Sequence, residues 1–401
     1  MAEFISVHRR SFLAGGAGVL AAAACARTGV AVRAQEATKA SKPLPAYVDW
    51  KNAEGLIVHS ENTIETKREF IGTSGVTPND LVYVRNNISP PDQSILANRD
   101  AWEVTFEGVA NPRNVTLGEL KTMGIETVAM VLQCSGNGRG FFEHKASGTP
   151  WRTGAAANVL WSGVPLRTVV DALGGASAGM KFLTSTGGET LPEGVDPKTV
   201  VVERSIPMDH ALENAILAWE MNGEPISLAH GGPLRVITPG YYGVNNVKYV
   251  KRVALTAAET DASIQSTGYR IRPVGVEGAP DQPSMWEMKV KSWVTHPLAD
   301  AKSGKIQIHG VAFGGFSALK GVEVSTDGGN TWKDAQLLGP DMGRYAWRPF
   351  VLSADLAPGT HAITSRATDS EGRVQEETTE PNHRGYDYSG WRRLAVEVTV
   401  A

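Results

Sequence analysis

The segment Val128-Ala129-Met130-Val131-Leu132-Gln133-Cys134-Ser135-Gly136-Asn137-Gly138-Arg139-Gly140 joins an apolar run to a glycine-rich turn through a single cysteine. Five consecutive apolar residues predict a strand buried on both faces. Gly136, Gly138 and Gly140 remove side chains and permit backbone angles closed to other residues, as in a loop that must approach something closely. Cys134 has three readings at this point: a buried structural cysteine, a nucleophile in need of a partner histidine, or a thiolate ligand for a soft metal. Arg139 serves the last two, because a guanidinium stabilises a nearby thiolate and can grip an oxyanion with two donors. A phosphate-binding loop is disfavoured: the third glycine of Gly-x-Gly-x-x-Gly falls on Phe141, and no helix pattern follows.

Working outward, short elements of both kinds flank the loop. Leu81–Val84 and Trp102–Phe106 read as strands. Thr116–Met123 reads as a helix with a capping box of Thr116 and Glu119, and Leu166–Leu173 as a second helix. Ala215–Trp219, Leu234–Thr238 and Val250–Thr256 are further strands. Residues 35–80 lack periodicity and are expected to wrap the surface irregularly. This predicts an α+β region over 35–282. Beyond Pro283 seven short strand patterns follow at even spacing: Met288–Val294, Gly304–Val311, Gly321–Ser325, Thr331–Leu338, Tyr345–Leu352, Gly359–Thr368 and Trp391–Val400. That spacing predicts an all-β immunoglobulin-like sandwich over 283–401. Asp327-Gly328-Gly329-Asn330 lacks the alternating carboxylates of a calcium loop and is read as a hairpin turn.

The chain has 401 residues, 42% of them hydrophobic, which suits two domains with real cores. A formal net charge of −3 and the absence of any basic block argue against nucleic-acid binding. Arg9-Arg10-Ser11-Phe12-Leu13, an Ala/Gly-rich apolar run and Val32-Arg33-Ala34 predict a twin-arginine signal over 1–34, cleaved before Gln35. The run is too short for a mature membrane span, so a periplasmic protein without an anchor is expected. Cys25 lies in the signal, which leaves Cys134 as the one cysteine of the mature chain and excludes an internal disulfide. Paired zinc spacings, a Cys-x-x-Cys-His haem site, a Walker loop and a Gly-x-Ser-x-Gly elbow are all missing from the sequence.

The loop from Leu132 to Arg139 resembles the metal-ligand loop of the sulfite oxidase family of molybdenum enzymes. The resemblance continues in order through Tyr83-Val84-Arg85-Asn86, Pro150-Trp151 to Gly154-Ala155, Trp219 to Gly223, and His230-Gly231-Gly232-Pro233-Leu234-Arg235. It goes on through Pro239-Gly240 to Lys248, Gly268-Tyr269-Arg270, Met285-Trp286, Ser325 to Trp332 and Asn382-His383-Arg384-Gly385. It is closest to the bacterial periplasmic sulfite dehydrogenases of the SorT type, with the sulfur dehydrogenase subunit SoxC a near relative.

The resemblance implies a mixed molybdopterin-binding fold followed by a dimerisation sandwich. It implies one molybdenum with one molybdopterin, and Cys134 as the metal's protein ligand. Arg85, Arg139 and Arg384 would bind sulfite, Tyr269 would donate a hydrogen bond, and Trp151 would wall the pocket. Tyr83, Asn87, His230, Arg235 and Lys248 fall on cofactor-binding positions. Arg384 belongs to the second domain, so the pocket should lie near the domain boundary. With no haem motif in the chain, electrons are expected to leave singly to an external c-type cytochrome, and a homodimer is expected. The chain departs from the family at Asn87, where many members carry histidine, and around Lys145, which does not take the place of the family's lysine. Glu189 is a candidate acidic contact to the pterin. Two other chemistries stay open, SoxC-like oxidation of protein-bound sulfane sulfur and sulfoxide reduction. So does a binding protein that has lost catalysis.

Overall fold

The computed structural model describes residues 42–401. The expected signal over 1–34, with Cys25, lies outside the described residues.

Three sheets make the first domain. The smallest is a hairpin of Leu56–Ser60 and Thr63–Thr66 extended by Val84–Arg85, antiparallel throughout. It corrects the expectation of an irregular surface wrap. Thr63–Thr66 is buried at all four positions, and its polar groups are satisfied inside. Thr66 Oγ1 donates to Leu81 O at 2.6 Å, and Glu65 Oε1 accepts from the amides of Arg152 and Gly154 at 2.8 and 3.0 Å. A buried strand that meets its hydrogen-bond needs with side chains leaves no apolar alternation to read. The strand expected from Leu81 is shorter, because Leu81 and Val82 donate to Pro78 O in a turn and only Val84–Arg85 joins the ladder.

The second sheet carries the cysteine loop. Glu126–Gln133 pairs with Ala156–Pro165, which pairs with Ile216–Met221; Arg235–Ile237 and Glu224–Pro225 complete it. Burial along Glu126–Gln133 rises toward its C-terminal end, where Met130–Gln133 are all buried, so the strand delivers Cys134 to the interior. The third sheet runs Arg113–Thr116, Glu103–Glu107, Arg252–Thr256, Phe182–Thr186, Glu203–Pro207, with one parallel pair between Glu103–Glu107 and Arg252–Thr256. Ala156–Pro165, Phe182–Thr186 and Glu203–Pro207 were not foreseen. The first is diluted by small residues and Gly163, the others by Ser, Thr and Arg204, although all three are largely buried. The capping box holds, with Thr116 Oγ1 accepting from Glu119 N and Glu119 Oε2 from Thr116 N.

The second domain is a sandwich of two four-stranded sheets. Val294, Ile308, Val324, Phe350, Ile363 and Val396 fill the space between them. The strand expected over Thr331–Leu338 divides in two: Lys333–Asp334 pairs in one sheet and Gln336–Leu337 in the other. The strand expected from Tyr345 starts at Arg348, and the last one starts at Val396 after a helical turn at Arg392–Leu394. Asp327 closes the Asp-Gly-Gly-Asn turn by accepting from the amides of Asn330 and Thr331, as a turn and not an ion site.

The two domains share a core. Val131, Phe141, Ala156 and Tyr242 of the first pack with Trp293, Phe313, Trp347 and Tyr388 of the second. Buried Arg68 donates to Val294 O and Leu394 O at 2.6 and 2.8 Å. No described helix is long and apolar enough to cross a membrane.

Candidate active site

Cys134 sits where the strand ends and the chain turns. Its amide donates to Ala155 O, and the Asn137 amide returns to Cys134 O, both at 2.9 Å. Gly138 adopts φ +101°, and a side chain there would strike the Tyr388 ring, so the turn requires glycine. A Cβ at Gly136 would lie 2.4 Å from the Arg139 guanidinium, which is therefore stacked directly on the loop backbone.

Two cavities meet at this cysteine. The outer one is an open cleft whose lining includes Arg85, Asn87, Cys134, Arg139, Trp151, Tyr269 and Arg384. All five residues expected to handle substrate therefore converge here, from both domains. Arg139 Nε donates to Arg384 O at 2.8 Å and its Nη1 to Thr149 O at 2.8 Å, which fixes the guanidinium across the domain boundary. Arg384 Nε is buried and has no hydrogen-bond partner. Arg85 Nη2 donates to Asn87 Oδ1 at 2.6 Å, and Tyr269 OH reaches the same oxygen at 3.4 Å. Trp151 is fully buried, edge-on to His59 and Tyr83, and forms wall and not lip. Lys145 is exposed and outside the lining.

Tyr386 was missed. Its ring stacks on Tyr269 at 5.0 Å with 6° between planes, and the Arg139 guanidinium lies 5.3 Å from its centroid. Burial holds its hydroxyl neutral by raising its pKa well above the usual tyrosine range. The signal lay in the sequence: Tyr386 stands two residues beyond Arg384 in the aromatic run Tyr386-Asp387-Tyr388.

The inner cavity, lined by Tyr83, Ser135, Glu189, His230, Arg235, Lys248 and others, reaches from Cys134 into the first domain. The expected cofactor residues Tyr83, Asn87, His230, Arg235 and Lys248 all line it, and so does Glu189. Its electrostatics call for a guest. Burial and neighbouring cations push His230 well below its ordinary pKa, so its ring is neutral. Burial, with Arg235 close by, also pulls Lys248 well down, and burial pulls Arg235 down to about 10. Lys248 Nζ is held by Asn86 Oδ1 and Ala229 O at 2.6 Å, and Arg235 by His230 O and Asn246 O, all neutral acceptors. Ser135 Oγ, His230 Nε2 and a Glu189 oxygen are buried without partners. Such unmet polar groups and cations are costly unless an anionic, hydrogen-bonding molecule occupies the cavity. A pterin with a phosphate and a dithiolene fits that donor set, with Cys134 supplying one further sulfur to a soft metal.

Comparison with known proteins agrees. Residues 91–264 match the oxidoreductase molybdopterin binding domain, and 282–399 the Mo-co oxidoreductase dimerisation domain. The sulfite oxidase of Gallus gallus is 31% identical over 363 residues, covering 84% of this chain and 77% of that one. The chain belongs to the sulfite oxidase family. The mitochondrial sulfite oxidase of Rattus norvegicus is also 31% identical, over 357 residues and 83% of this chain. The chain spans 64% of the length of that relative. Among solved structures, the sulfane dehydrogenase SoxCD of Paracoccus pantotrophus shares the fold, with a TM-score of 0.70 and 22% identity over 94% of this chain and 96% of that one. Membership of the family accounts for the order of a molybdopterin binding domain followed by a dimerisation domain.

Proposed function

We propose that this chain is a sulfite dehydrogenase. It oxidises sulfite to sulfate at a molybdenum–molybdopterin centre ligated by Cys134 and passes two electrons, one at a time, to an external c-type cytochrome. We further propose that it is exported folded to the periplasm by the twin-arginine route and works as a homodimer through its sandwich. The observation that carries the reading is the convergence of Arg85, Arg139 and Arg384 with Tyr269 beside the cysteine, at the junction of an arginine-lined cleft and an anion-seeking cavity.

The cofactor, when bound, supplies oxygen-atom transfer and storage for two electrons. The chain's own residues do the rest. Three guanidiniums with no competing carboxylate in the lining favour a small dianion over neutral sulfur compounds. Arg139, tied to Arg384 O and Thr149 O, holds a fixed position before substrate arrives, so little ordering of it is left for the moment of binding. The 3.4 Å contact of Tyr269 OH with Asn87 is long, and the hydroxyl can turn to a substrate oxygen that accepts better. Buried Trp151, with His59 and Tyr83 behind it, closes one side of the cleft to water. His230, Arg235 and Lys248 would hold the pterin and its phosphate.

The test is sulfite-dependent reduction of ferricyanide by molybdenum-loaded protein beside a Cys134→Ala control. Turnover by the wild type and none by the variant is the expected result. A loaded protein that ignores free sulfite would sink the reading and turn attention to sulfane sulfur carried on a partner, or to sulfoxide reduction.

A further inference from the structure

Every second residue of the cysteine loop from Gln133 to Arg139 is held by the second domain. Lys291 Nζ donates to Gln133 Oε1 at 3.3 Å and to Asn137 O at 3.2 Å. The Asp387 amide donates to Ser135 O at 3.0 Å, and Arg139 reaches Arg384 O. Residues 133, 135, 137 and 139 thus each bond to the second domain, while Cys134 between them lines both cavities.

Lys291 is the unusual member. It opens the first strand of the sandwich, is 2% exposed, and takes no carboxylate partner within ion-pair reach among the described residues. The acid whose charge acts on it, Asp387, is engaged by Lys289 at 3.0 Å and by the Tyr242 hydroxyl. An ammonium buried without a counter-ion is costly, and burial pulls Lys291 down to about 7. A packing role alone would be served by methionine at the same volume. Both hydrogen bonds of the amine go instead to the residues that bracket the cysteine. The network then closes on itself. Gln133 Oε1 also accepts from Asn137 Nδ2 at 3.0 Å, Asn137 Oδ1 accepts from Ala155 N at 3.1 Å, and Ala155 O accepts from Cys134 N at 2.9 Å.

We propose that Lys291 is a positioning residue for Cys134: from the sandwich it clamps Gln133 and Asn137, so that the thiolate is aimed at the cavity junction only when the second domain is docked. The inference rests on the reading of Cys134 as the metal's ligand. It explains why a domain that contributes only Arg384 and Tyr386 to the cleft is built into one core with the first domain.

The experiment compares full-length wild type with Lys291→Met and with Ile308→Val, a change in the sandwich core that touches neither loop nor clamp. On metal-free protein, iodoacetamide alkylation of Cys134 and hydrogen exchange at the Cys134 and Asn137 amides are measured. On molybdenum-loaded protein, the electron paramagnetic resonance signal of the singly reduced metal is recorded. Lys291→Met should speed alkylation and exchange at least about tenfold, the size of one of the two charge-assisted hydrogen bonds it loses, and should alter the resonance signal. Ile308→Val should do neither at an equal fall in Tm. Equal effects of the two variants, or an unaltered signal with wild-type alkylation, would overturn the proposal. Should Lys291→Met not fold, wild-type hydrogen exchange decides: the loop amides must open together with those of Lys291–His296, and independent opening at lower denaturant refutes the clamp. None of these readouts requires sulfite turnover, so failure of the clamp and failure of the sulfite assignment are separable.

Discussion

Gly154→Ala tests how tightly the cleft depends on the unforeseen hairpin. A Cβ at Gly154 would lie 1.7 Å from Thr66 O and 2.6 Å from Glu65 Cγ. Neither can yield cheaply. The first is backbone, and Glu65 is buried, with one oxygen on the Arg152 and Gly154 amides and the other 2.7 Å from His59. Bringing the closest contact to an ordinary ~3.4 Å means moving one strand by more than about 1 Å, which overpacked interiors resist at about 1–3 kcal/mol. The move also strains the Thr66 N bond to Gly154 O and two bonds to a carboxylate, so a total near 3 kcal/mol is expected. At about 2 °C per kcal/mol for a chain of this size, Tm should fall by roughly 6 °C. Thr63 and Ile64 pair with Arg85 and Val84, so the displacement carries to Arg85, and kcat/KM for sulfite should fall about 100-fold. The assay is calorimetry with steady-state ferricyanide kinetics, beside Gly175→Ala, where φ is +89° but nothing lies within 4 Å. A Tm change no larger than that of Gly175→Ala, with kinetics intact, would refute the argument.

Two further outcomes follow from the same geometry. Arg384→Met removes one charged donor set from the substrate cleft and should raise KM for sulfite about 10–100-fold, with molybdenum content unchanged; a normal KM would remove Arg384 from the binding site. Glu189 is a carboxyl that burial lifts from 4.5 to about 7. A folded pKa above the unfolded one contributes stability that is full below about pH 4.5 and is lost as pH rises through about 7. Metal-free Glu189→Gln should therefore gain on metal-free wild type between about pH 5 and pH 8, by about 2 kcal/mol; a Tm gap that does not change with pH would show that the carboxyl is not desolvated.

The site was more legible in the sequence than the scaffold that holds it. Cysteine, arginine, tyrosine and tryptophan at family positions carry chemistry that can be named before any fold is known, and the two cavities gather all of them. The scaffold was hidden where burial and hydrophobicity part company. Thr63–Thr66, Phe182–Thr186 and Glu203–Pro207 are inside but polar, satisfied by partners far away in the chain, such as Ser205 Oγ on Thr184 Oγ1 and Arg204 on Asn245. Periodicity reports only the apolar half of such a strand. Lys291 and Glu65 were invisible for the same reason: a lone charged residue in a strand pattern reads as a solvent-facing position until its partners are known. Tyr386 was passed over because the matching motif stopped at Gly385.

Asn87 shows how the shared wall of the two cavities sets the behaviour of the cleft. Arg85, Asn86, Asn87, Cys134 and Tyr269 line both compartments, and Asn87 joins two of the others by accepting from Arg85 and Tyr269 on one oxygen. Asparagine cannot take up a proton, so the positive charge of the substrate cleft rests on Arg85, Arg139 and Arg384. Asn87→His would place a titratable ring beside a guanidinium that now donates at 2.6 Å, and that neighbour would depress its pKa below the ordinary ~6.5. Above that value the ring is neutral and the cleft keeps its wild-type charge. Below it a fourth cation appears and sulfite binds more tightly. The ratio of variant to wild-type KM, which cancels the titration of sulfite itself, should therefore fall as pH drops from about 7 to 5, by about tenfold for one added charge-assisted contact. A ratio flat across that range would mean that residue 87 does not feel the substrate, and that the bond from Arg85 to Asn87 serves only to orient the arginine.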